Sequence, residues 1–433
     1  METIDSIPIS KIKRASKLVG TGAKVGVNYL KYYGSKLVKT ENDAREQLNK
    51  DNAEDIYNSL KQLKGSALKV AQMLSMEKSI MPAAYVEKFS LSQFSVPPLS
   101  APLVNKTFKT YFGKTPNEVF DEFNTQSTNA ASIGQVHRAK KEGQELAVKI
   151  QYPGVSESIS SDLKLVKPVA LRILNISAKD SDKYFKEVED KLMEETNYLL
   201  ELEQSKEISE ACKNIPNLLF PKYYDEFSSE RIITMDWMTG VHLSEYTATP
   251  ESGKKIGQAM WDFYMYQMHT LKKVHADPHP GNFLVSENDE LIALDFGCMK
   301  IIPEDFYAPY FELIQKETLA DEKLFQAKML DLEIIKTSDS EEEVVFFSQM
   351  FHELLTAFAK PLQEEVFDFS NDQFFDEIAQ LGEQYTKNTE LRKMDANRGS
   401  KHFIYVNRTF FGLYSLMNML QALDIKINNY KNL

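Results

Sequence analysis

The sequence has little of what secreted and membrane-spanning proteins need. Its 433 residues include two cysteines, Cys212 and Cys298, which excludes a disulfide framework and a cysteine-based zinc module and fits a reducing compartment. It has no run of about 18 apolar residues, so we expect no transmembrane helix. Its first residues lack the apolar stretch of a secretory signal. Hydrophobic residues make up 42% of the chain, which predicts a soluble protein with a large core.

The chain also lacks the positive charge of general nucleic-acid binders, since its net charge is −12. This charge is unevenly spread. Residues 1–40 carry eight basic and two acidic side chains, a balance of +6, whereas the rest of the chain has a balance of −18. A cationic leader on an acidic body predicts contact with an anionic membrane surface. The residues leave a second interpretation open, in which the leader is a solvated tail lying on its own acidic body.

Periodicity and breakers predict four segments and an α+β, two-lobed architecture. They are a basic leader (1–40), a helical extension ending in a proline-rich linker (41–102), an N-lobe (103–240) and a C-lobe (241–433). Residues 136–139 and 145–151 are strand-like and are joined by a turn at Glu142-Gly143. Two further short strands are predicted at 282–285 and 291–294, and the chain after 302 is predicted to be helical.

The segment 274–285 is the most informative for chemistry. Asp277 and Asn282 are five residues apart, the H-x-D-x-x-x-x-N spacing of phosphotransferase catalytic loops. In such loops the Asp orients or deprotonates an attacking hydroxyl, and the Asn holds a metal ion. Asp295, in an Asp-Phe-Gly triplet, follows Asn282 after the two short strands, whose hairpin returns the chain to its start. Asn282 and Asp295 therefore predict a Mg²⁺ site shared with nucleotide phosphates.

The upstream half of the sequence predicts a nucleotide clamp. Lys149 lies in an apolar strand similar to the V-A-I-K strand that pairs with nucleotide phosphates. A small, alanine-rich turn precedes that strand by one hairpin, where a phosphate loop is expected, and an acid within 192–198 is expected to pair with Lys149. The segment 235–240 follows a strand and resembles an interlobe hinge whose backbone reads adenine. The residues predicted to contact ATP are Ala130, Ala131, Ser132, Ile133, Gly134, Lys149, Asp236 and Met238.

With these motifs in place, the sequence resembles the UbiB/ADCK/AarF family of atypical protein-kinase-like proteins over roughly residues 50–300. The segment 130–137 matches the family's alanine-rich loop, and Glu195 matches the glutamate of its E-x-D helix. Lys69 and Gln72 match its N-terminal K-x-G-Q helix. These two residues share one helix face because they are three positions apart. The resemblance assigns catalytic roles to Asp277, Lys149, Glu195, Lys69 and Gln72.

The resemblance implies a bilobal protein-kinase-like fold with an N-terminal helical K-x-G-Q-type extension and a helical C-lobe. It also implies binding of Mg²⁺ and ATP or ADP. The implied activity is ATP hydrolysis, or phosphotransfer to something small and not to a protein, in support of isoprenoid-quinone (ubiquinone or menaquinone) metabolism. Expected partners are an anionic membrane surface and quinone-pathway lipids or proteins. The expected location is cytoplasmic, peripherally associated with the inner face of a membrane.

Three positions depart from the kinase or family pattern. Ala71 gives K-x-A-Q, Asn197 gives E-x-N, and Ala276 replaces the Arg of H-R-D, so we expect no phosphorylation-controlled activation loop. Two other functions remain open. One is a small-molecule kinase of the aminoglycoside/choline type, which has a similar catalytic loop. The other is a pseudokinase scaffold whose bound nucleotide only sets shape, an alternative motivated by Ala71 and Asn197.

Overall fold

The computed structural model describes residues 24, 27–33, 35, 40–63, 83–90, 98–130, 133–174, 178–387 and 398–433. Lys69, Gln72, Ala131, Ser132 and most of the leader lie outside the described residues. The described chain divides into two compact units. Unit 1 takes its residues from 1–202 and 222–237, and unit 2 takes its residues from 203–221 and 238–433. The sequence-based division into four segments stays a prediction.

The described part of the chain is rich in helix, and its strands are short. The α-helices are α1 (Glu41–Leu63), α2 (Ala83–Ser90), α3 (Ala101–Phe112), α4 (Pro116–Val119), α5 (Val155–Leu174), α6 (Ala178–Glu195), α7 (Tyr198–Cys212), α8 (Pro250–Tyr266), α9 (Glu304–Leu313), α10 (Lys316–Ala320), α11 (Glu322–Asp331), α12 (Glu341–Phe358), α13 (Asp372–Lys387) and α14 (Lys401–Met419). No helix in these described ranges is long and apolar enough to cross a membrane.

The strands within the described residues fall into four sheets. They are β1 (Glu122–Phe123), β2 (Asn129–Ala130), β3 (Gly134–Lys141), β4 (Gln144–Gln151), β5 (Leu218–Leu219), β6 (Ile232–Asp236), β7 (Val241–His242), β8 (Lys273–His275), β9 (Phe283–Val285), β10 (Leu291–Ala293), β11 (Met299–Ile301), β12 (Val366–Phe367) and β13 (Ile425–Lys426). The β3–β4 hairpin turns at Glu142 (φ 51°) and Gly143 (φ 82°), which confirms the predicted turn.

Unit 1 is built on a sheet of order β1-β3-β4-β6, with β2 also paired to β3. The buried face of β4 is apolar, and Val148 and Ile150 are fully buried. They belong to a core cluster that also includes Phe108 of α3 and Tyr198 of α7. Because β4 lies between β3 and β6, a residue in its middle has a paired strand on both sides.

Unit 2 has a core cluster to which α8 contributes many residues, including the fully buried Trp261. Thr249 caps the N-terminus of this helix, and its side chain accepts a hydrogen bond from the Ser252 N–H. The C-terminal segment is hydrogen-bonded to α8, because Trp261 Nε1 donates to the Ile427 carbonyl at 2.9 Å. Asn429 Nδ2 donates to Asp262 on the same helix at 2.6 Å. The C-terminal segment is therefore part of the core of unit 2.

Two small antiparallel pairings position the loops of unit 2. Strand β9 pairs with β10, which confirms the hairpin predicted between Asn282 and Asp295, with Ala293 opposite Phe283. Strand β8 pairs with β11, with His275 opposite Met299. The 277–282 segment therefore runs from β8 to β9, and the 294–298 segment runs from β10 to β11.

Candidate functional site

In unit 1, Lys149 forms a buried ion pair with a helix. Its Nζ lies 2.6 Å from Glu201 Oε1, and both side chains are at least nine-tenths buried. The same Nζ lies 5.1 Å from the ring centroid of Tyr198, on the face of the ring. Strand β4 fixes the lysine backbone between Val136 and Ile233. The strand lysine therefore has the charged helical partner that a phosphate-binding lysine needs.

The partner acid differs from the one expected from the sequence. The pairing acid was predicted within 192–198, and the structure shows a partner outside that segment, Glu201. Helix α6 ends at Glu195, and α7 begins at Tyr198, so Glu195 and Glu201 lie on different helices. Glu195 is buried at the end of α6. A catalytic role for Glu195 remains a prediction.

The break between α6 and α7 is held by hydrogen bonds that the sequence does not reveal. The Thr196 carbonyl accepts from Gln151 Nε2 at 3.0 Å and from Arg231 Nη1 at 2.8 Å. Asn197 then caps α7, since its Oδ1 accepts from the Leu200 N–H at 3.2 Å. An Asp at 197 makes the same cap, so the E-x-N departure removes no hydrogen bond of this kind.

The predicted phosphate loop connects β2 to β3. Ala130 ends β2, Ile133 is buried, and Gly134 begins β3, while Ala131 and Ser132 lie outside the described residues. Gly134 has no room for a side chain, because an added Cβ would stand 2.6 Å from the Ile150 carbonyl oxygen and 2.8 Å from the Tyr198 hydroxyl. The strand after the loop is therefore packed against the same tyrosine that faces Lys149.

A buried polar chain anchors the start of β3. The Leu99 N–H donates to Gln135 Oε1 at 2.7 Å, and the Gln135 amide lies 2.7 Å from His137 Nε2. His137 Nδ1 lies 2.8 Å from the Asn124 carbonyl, which can only accept, so Nδ1 carries the proton. Burial lowers the pKa of His137, so the ring is neutral at pH 7. These bonds fix the strand directly after the alanine-rich loop.

The predicted hinge lies where the chain passes from unit 1 to unit 2, between Trp237 and Met238. The Asp236 carboxylate is already used by the protein. Its Oδ1 accepts from Gln144 and from the Tyr224 hydroxyl, at 2.7 and 2.8 Å, and its Oδ2 accepts from the Lys222 N–H at 3.0 Å. The adenine contact predicted for Asp236 and Met238 stays a prediction.

In unit 2, three predicted residues meet at one end of the β9–β10 hairpin. Asn282 Nδ2 donates to the Asp277 carbonyl at 2.9 Å, which ties the two ends of the catalytic loop together. The Leu294 N–H donates to the Asn282 carbonyl at 3.0 Å, directly beyond the paired strands. Asp295 follows Leu294, so the hairpin brings Asp277, Asn282 and Asp295 to the same end.

The donor set of this hairpin end fits Mg²⁺. The bond from Nδ2 to Asp277 sets the Asn282 amide so that Oδ1 is its remaining polar atom. The Gly297 N–H donates to Asp295 Oδ1 at 2.9 Å and orients that carboxylate. In the part of the chain that the structure describes, no three His, Cys, Asp or Glu side chains form a complete metal site. Mg²⁺ suits such a sparse set, because it keeps several waters and takes further oxygens from phosphates.

Hydrogen bonds and buried side chains hold the catalytic loop in place. The Ala276 N–H donates to the Cys298 carbonyl at 2.8 Å, and Gln267 Oε1 accepts from the His275 N–H at 3.0 Å. Phe296 of the Asp-Phe-Gly triplet is buried, and its ring centroid lies 5.9 Å from that of His275. Packing therefore fixes the loop on both sides of the buried Asp277.

The C-terminal helix α14 supports the same loop from a distant part of the sequence. A Cβ added to Gly412 would overlap Pro278 Cγ and stand 3.1 Å from the Pro278 carbonyl oxygen. Sequence reasoning missed Gly412 and Glu201. The available signal for Glu201 was Asn197, a preferred helix cap that starts a new helix four residues earlier.

A family model and several curated proteins are similar to this chain over the region that contains these motifs. The model of the ABC1 atypical kinase-like domain matches residues 91–329. Atypical kinase COQ8, mitochondrial, from Saccharomyces cerevisiae is 30% identical over 325 residues, which cover 73% of this chain and 65% of the yeast protein. ACTIVITY OF BC1 COMPLEX KINASE 8, chloroplastic, from Arabidopsis thaliana is 28% identical over 69% of this chain and 41% of its own length. The chain thus spans about two fifths to two thirds of these relatives.

A solved structure shares the fold. The complex of Rv3197 with erythromycin from Mycobacterium tuberculosis has a TM-score of 0.60 and 24% sequence identity, and the match covers 91% of this chain and 98% of that one. At this identity the likeness speaks for the fold alone. With the family match, it confirms the predicted α+β, bilobal, kinase-like fold and the predicted family resemblance.

The Lys149–Glu201 pair generates a test by double-mutant cycle. Lys149→Met or Glu201→Leu alone removes one partner of this buried ion pair, so each should lower the free energy of unfolding by about 3–5 kcal/mol. The double variant should lose less than either single variant. Urea unfolding followed by circular dichroism measures both effects. The exposed pair Lys186–Asp190 is the control, and Lys186→Met should change little. If the loss of unfolding free energy in the double variant equals the sum of the losses in the two single variants, the two residues do not interact and the buried pair is contradicted.

The contact of α14 with the catalytic loop generates a second test. Gly412→Ala should force the loop and helix apart, at a cost of about 1–3 kcal/mol, as overpacking does elsewhere. Hydrogen exchange should then speed up at the amides of 276–283, whereas Ser415→Ala, on the exposed side of the same helix, should leave it unchanged. Adding Pro278→Ala removes the Cγ and should restore part of the protection. Unchanged exchange in Gly412→Ala would show that the helix does not hold the loop.

Proposed function

Because the chain belongs to the ABC1 atypical kinase-like family, which includes the UbiB/ADCK proteins, we propose that it is an atypical kinase or ATPase that binds Mg-ATP. The observation that carries this proposal is the meeting of Asp277, Asn282 and Asp295 at one end of the β9–β10 hairpin. A scaffold that only holds shape needs no buried aspartate in the catalytic loop, and Asp277 is 9% exposed.

Each unit of the chain supplies one part of the chemistry in this proposal. In unit 1, Lys149 meets nucleotide phosphates, and Glu201 keeps the ammonium group oriented and charged. In unit 2, the Asn282 amide oxygen and the Asp295 carboxylate are the residues that would hold Mg²⁺, which neutralises phosphate charge when bound. Asp277 orients the attacking hydroxyl or water and accepts its proton.

The acceptor is proposed to be water or a small molecule, and the pathway to be isoprenoid-quinone metabolism. Both are implied by the family resemblance of the loop, the lysine strand and the hairpin. The scaffold alternative rested on two departures from the family pattern, Ala71 and Asn197. The argument from Asn197 is weakened, because Asn197 caps α7 as an Asp would. The other departure, Ala71, lies outside the described residues. An aminoglycoside/choline-type kinase remains an alternative for the acceptor, and assays with those amines separate it from hydrolysis.

Two carboxylate variants separate binding from turnover. Asp295→Asn removes a metal ligand and should weaken Mg-ATP affinity at least about 10-fold in calorimetric titration. Asp277→Asn should leave that affinity unchanged and lower phosphate release about 10²–10⁴-fold. Asp376→Asn, an exposed carboxylate on α13, is the matched control and should behave as wild type. Full Mg-ATP affinity in Asp295→Asn would overturn the metal assignment, and wild-type turnover in Asp277→Asn would overturn the catalytic one.

Peripheral membrane binding is the second part of the proposal. Its support is the balance of +6 in residues 1–40 and a described helical stretch, 27–33, that exposes Val27, Leu30 and Tyr33 by 50%, 73% and 64%. Each basic residue near an anionic surface contributes about 1 kcal/mol, an upper bound of roughly 6 kcal/mol before screening.

Co-sedimentation with vesicles tests the membrane proposal. A variant with glutamine in place of Lys11, Lys13, Arg14 and Lys17 should lose most binding to vesicles containing phosphatidylserine. Wild type should bind them less as salt rises toward physiological strength. Phosphatidylcholine vesicles and an equal number of exposed lysines changed in the body are the controls. Equal sedimentation of the leader variant and wild type would contradict the membrane proposal and support the interpretation of the leader as a solvated tail.

A further inference from the structure

The C-terminal segment, residues 424–430, meets successive turns of α8 through its side chains and backbone. Each contact joins one residue of the helix to one residue of the segment, at 2.6–3.1 Å. In order along the helix they are Lys254–Asp424, Gln258–Lys426, Trp261–Ile427 and Asp262–Asn429. Because the helix residues are spaced by three to four positions, they lie on one face of α8. The segment is therefore fixed along that face, toward the turn that follows the helix.

The next contact of the segment reaches this turn, a π-helical turn formed by residues Gln267–Leu271. The Tyr430 ring is stacked on that of His269, with centroids 4.9 Å apart and an interplanar angle of 16°. His269 Nδ1 lies 2.7 Å from the hydroxyl oxygen of Tyr307 on α9. The His269 ring is therefore held on its face by Tyr430 and at its edge by Tyr307.

The conformation of this turn needs outside support. A π turn interrupts regular α-helical hydrogen bonding, is rare, and is frequent at functional sites. It ends at Lys272, whose φ of 51° is strained for a residue with a side chain. Strained backbone persists where the surrounding structure determines it. The stack on Tyr430 is a contact of this kind, because it fixes His269, the middle residue of the turn.

The same turn holds the backbone that leads into the catalytic loop. Its first residue, Gln267, is fully buried, and its amide bonds on both sides. Gln267 Nε2 donates to the Phe263 carbonyl at 3.1 Å, and Oε1 accepts from the His275 N–H at 3.0 Å. His275 precedes Asp277 by two residues. A change from π to α-helical bonding rotates residues of the turn about the helix axis and would move Gln267 Oε1 relative to this N–H.

We propose that Tyr430, His269 and Gln267 are positioning residues for the catalytic loop, so that the C-terminal segment sets turnover. Tyr430 keeps the turn in its π form through His269, and Gln267 transmits that form to the backbone before Asp277. In an α-helical form, the His275 N–H loses its acceptor and the loop shifts. A shift of about 1 Å is sufficient to lower turnover about 10²-fold. The inference rests on the proposed function for the role of Asp277.

Hydrogen exchange on the full chain tests the first link without any measurement of activity. Tyr430→Leu keeps an apolar side chain and removes the ring face. Exchange should speed up at least about 10-fold at the His275 amide, because the turn opens locally, and stay unchanged at Ile292 in β10. Tyr430→Phe keeps the ring and should exchange as wild type.

Phe375→Leu is the matched control, since Phe375 is a half-buried aromatic residue of α13 that packs on the same core. It should leave exchange at His275 unchanged. Unchanged exchange at His275 in Tyr430→Leu, or equal acceleration in Phe375→Leu, would overturn the proposal.

A double-mutant cycle in turnover tests the second link. Gln267→Met removes the acceptor of the His275 N–H and keeps the length of the side chain. Gln267→Met and Tyr430→Leu should each lower kcat for phosphate release about 10–100-fold and change the KM for Mg-ATP less than about 3-fold. Because both act on one chain of contacts, the double variant should lose no more than the weaker single variant. Losses that multiply in the double variant, or that appear in KM alone, would overturn the proposal.

The two measurements separate this inference from the proposed function. Thermal unfolding checks that each variant is folded, and Gln267→Met gives an independent exchange measurement at His275 if Tyr430→Leu does not fold. If wild type releases no phosphate, the kinase or ATPase proposal fails. Exchange at His275 then still decides whether Tyr430 holds the turn.

Discussion

The buried ion pair of a lysine and a glutamate sets the strictest geometric requirement in unit 1. Removing both charges from water costs several kcal/mol per ion, which only close, well-oriented contact offsets. The 2.6 Å distance between Lys149 and Glu201 meets that condition, and it requires β4 and the first turn of α7 to hold fixed positions. The break before α7, the bonds to the Thr196 carbonyl and the packing of Gly134 against Tyr198 all serve this geometry.

Unit 2 solves a different problem, the placement of three polar side chains that come from two separated segments. Short antiparallel strands are sufficient, because a hairpin returns the chain to its starting point whatever its side chains are. The Leu294 N–H to Asn282 carbonyl bond closes the hairpin, and the Asn282 side chain fixes the loop at Asp277. A few backbone bonds therefore determine the candidate metal site.

The sequence reveals what is encoded locally. The β3–β4 turn at Glu142-Gly143 and the β9–β10 hairpin follow from turn chemistry and spacing, and both are present. Glu201 could not be singled out in this way, because the end of α6 is held by Gln151 and Arg231, which are remote from Thr196 in sequence. The approach of Gly412 to Pro278 is equally non-local. Patterns of period 2 or 3.6 carry no information on such contacts.

The way the catalytic loop is held also bears on control of the protein. Regulated kinases use the Arg of H-R-D to sense an activation-loop phosphate, and here Ala276 occupies that position and donates its backbone N–H to Cys298. The loop rests instead on packed groups: Phe296 and His275 on one side, Gly412 of α14 on the other, and Gln267 of the π turn at the start of the loop. Packed contacts need no modification to form. A loop held this way is set by folding, so any control of its geometry has to act through the elements that touch it, of which α14 and the π turn are two.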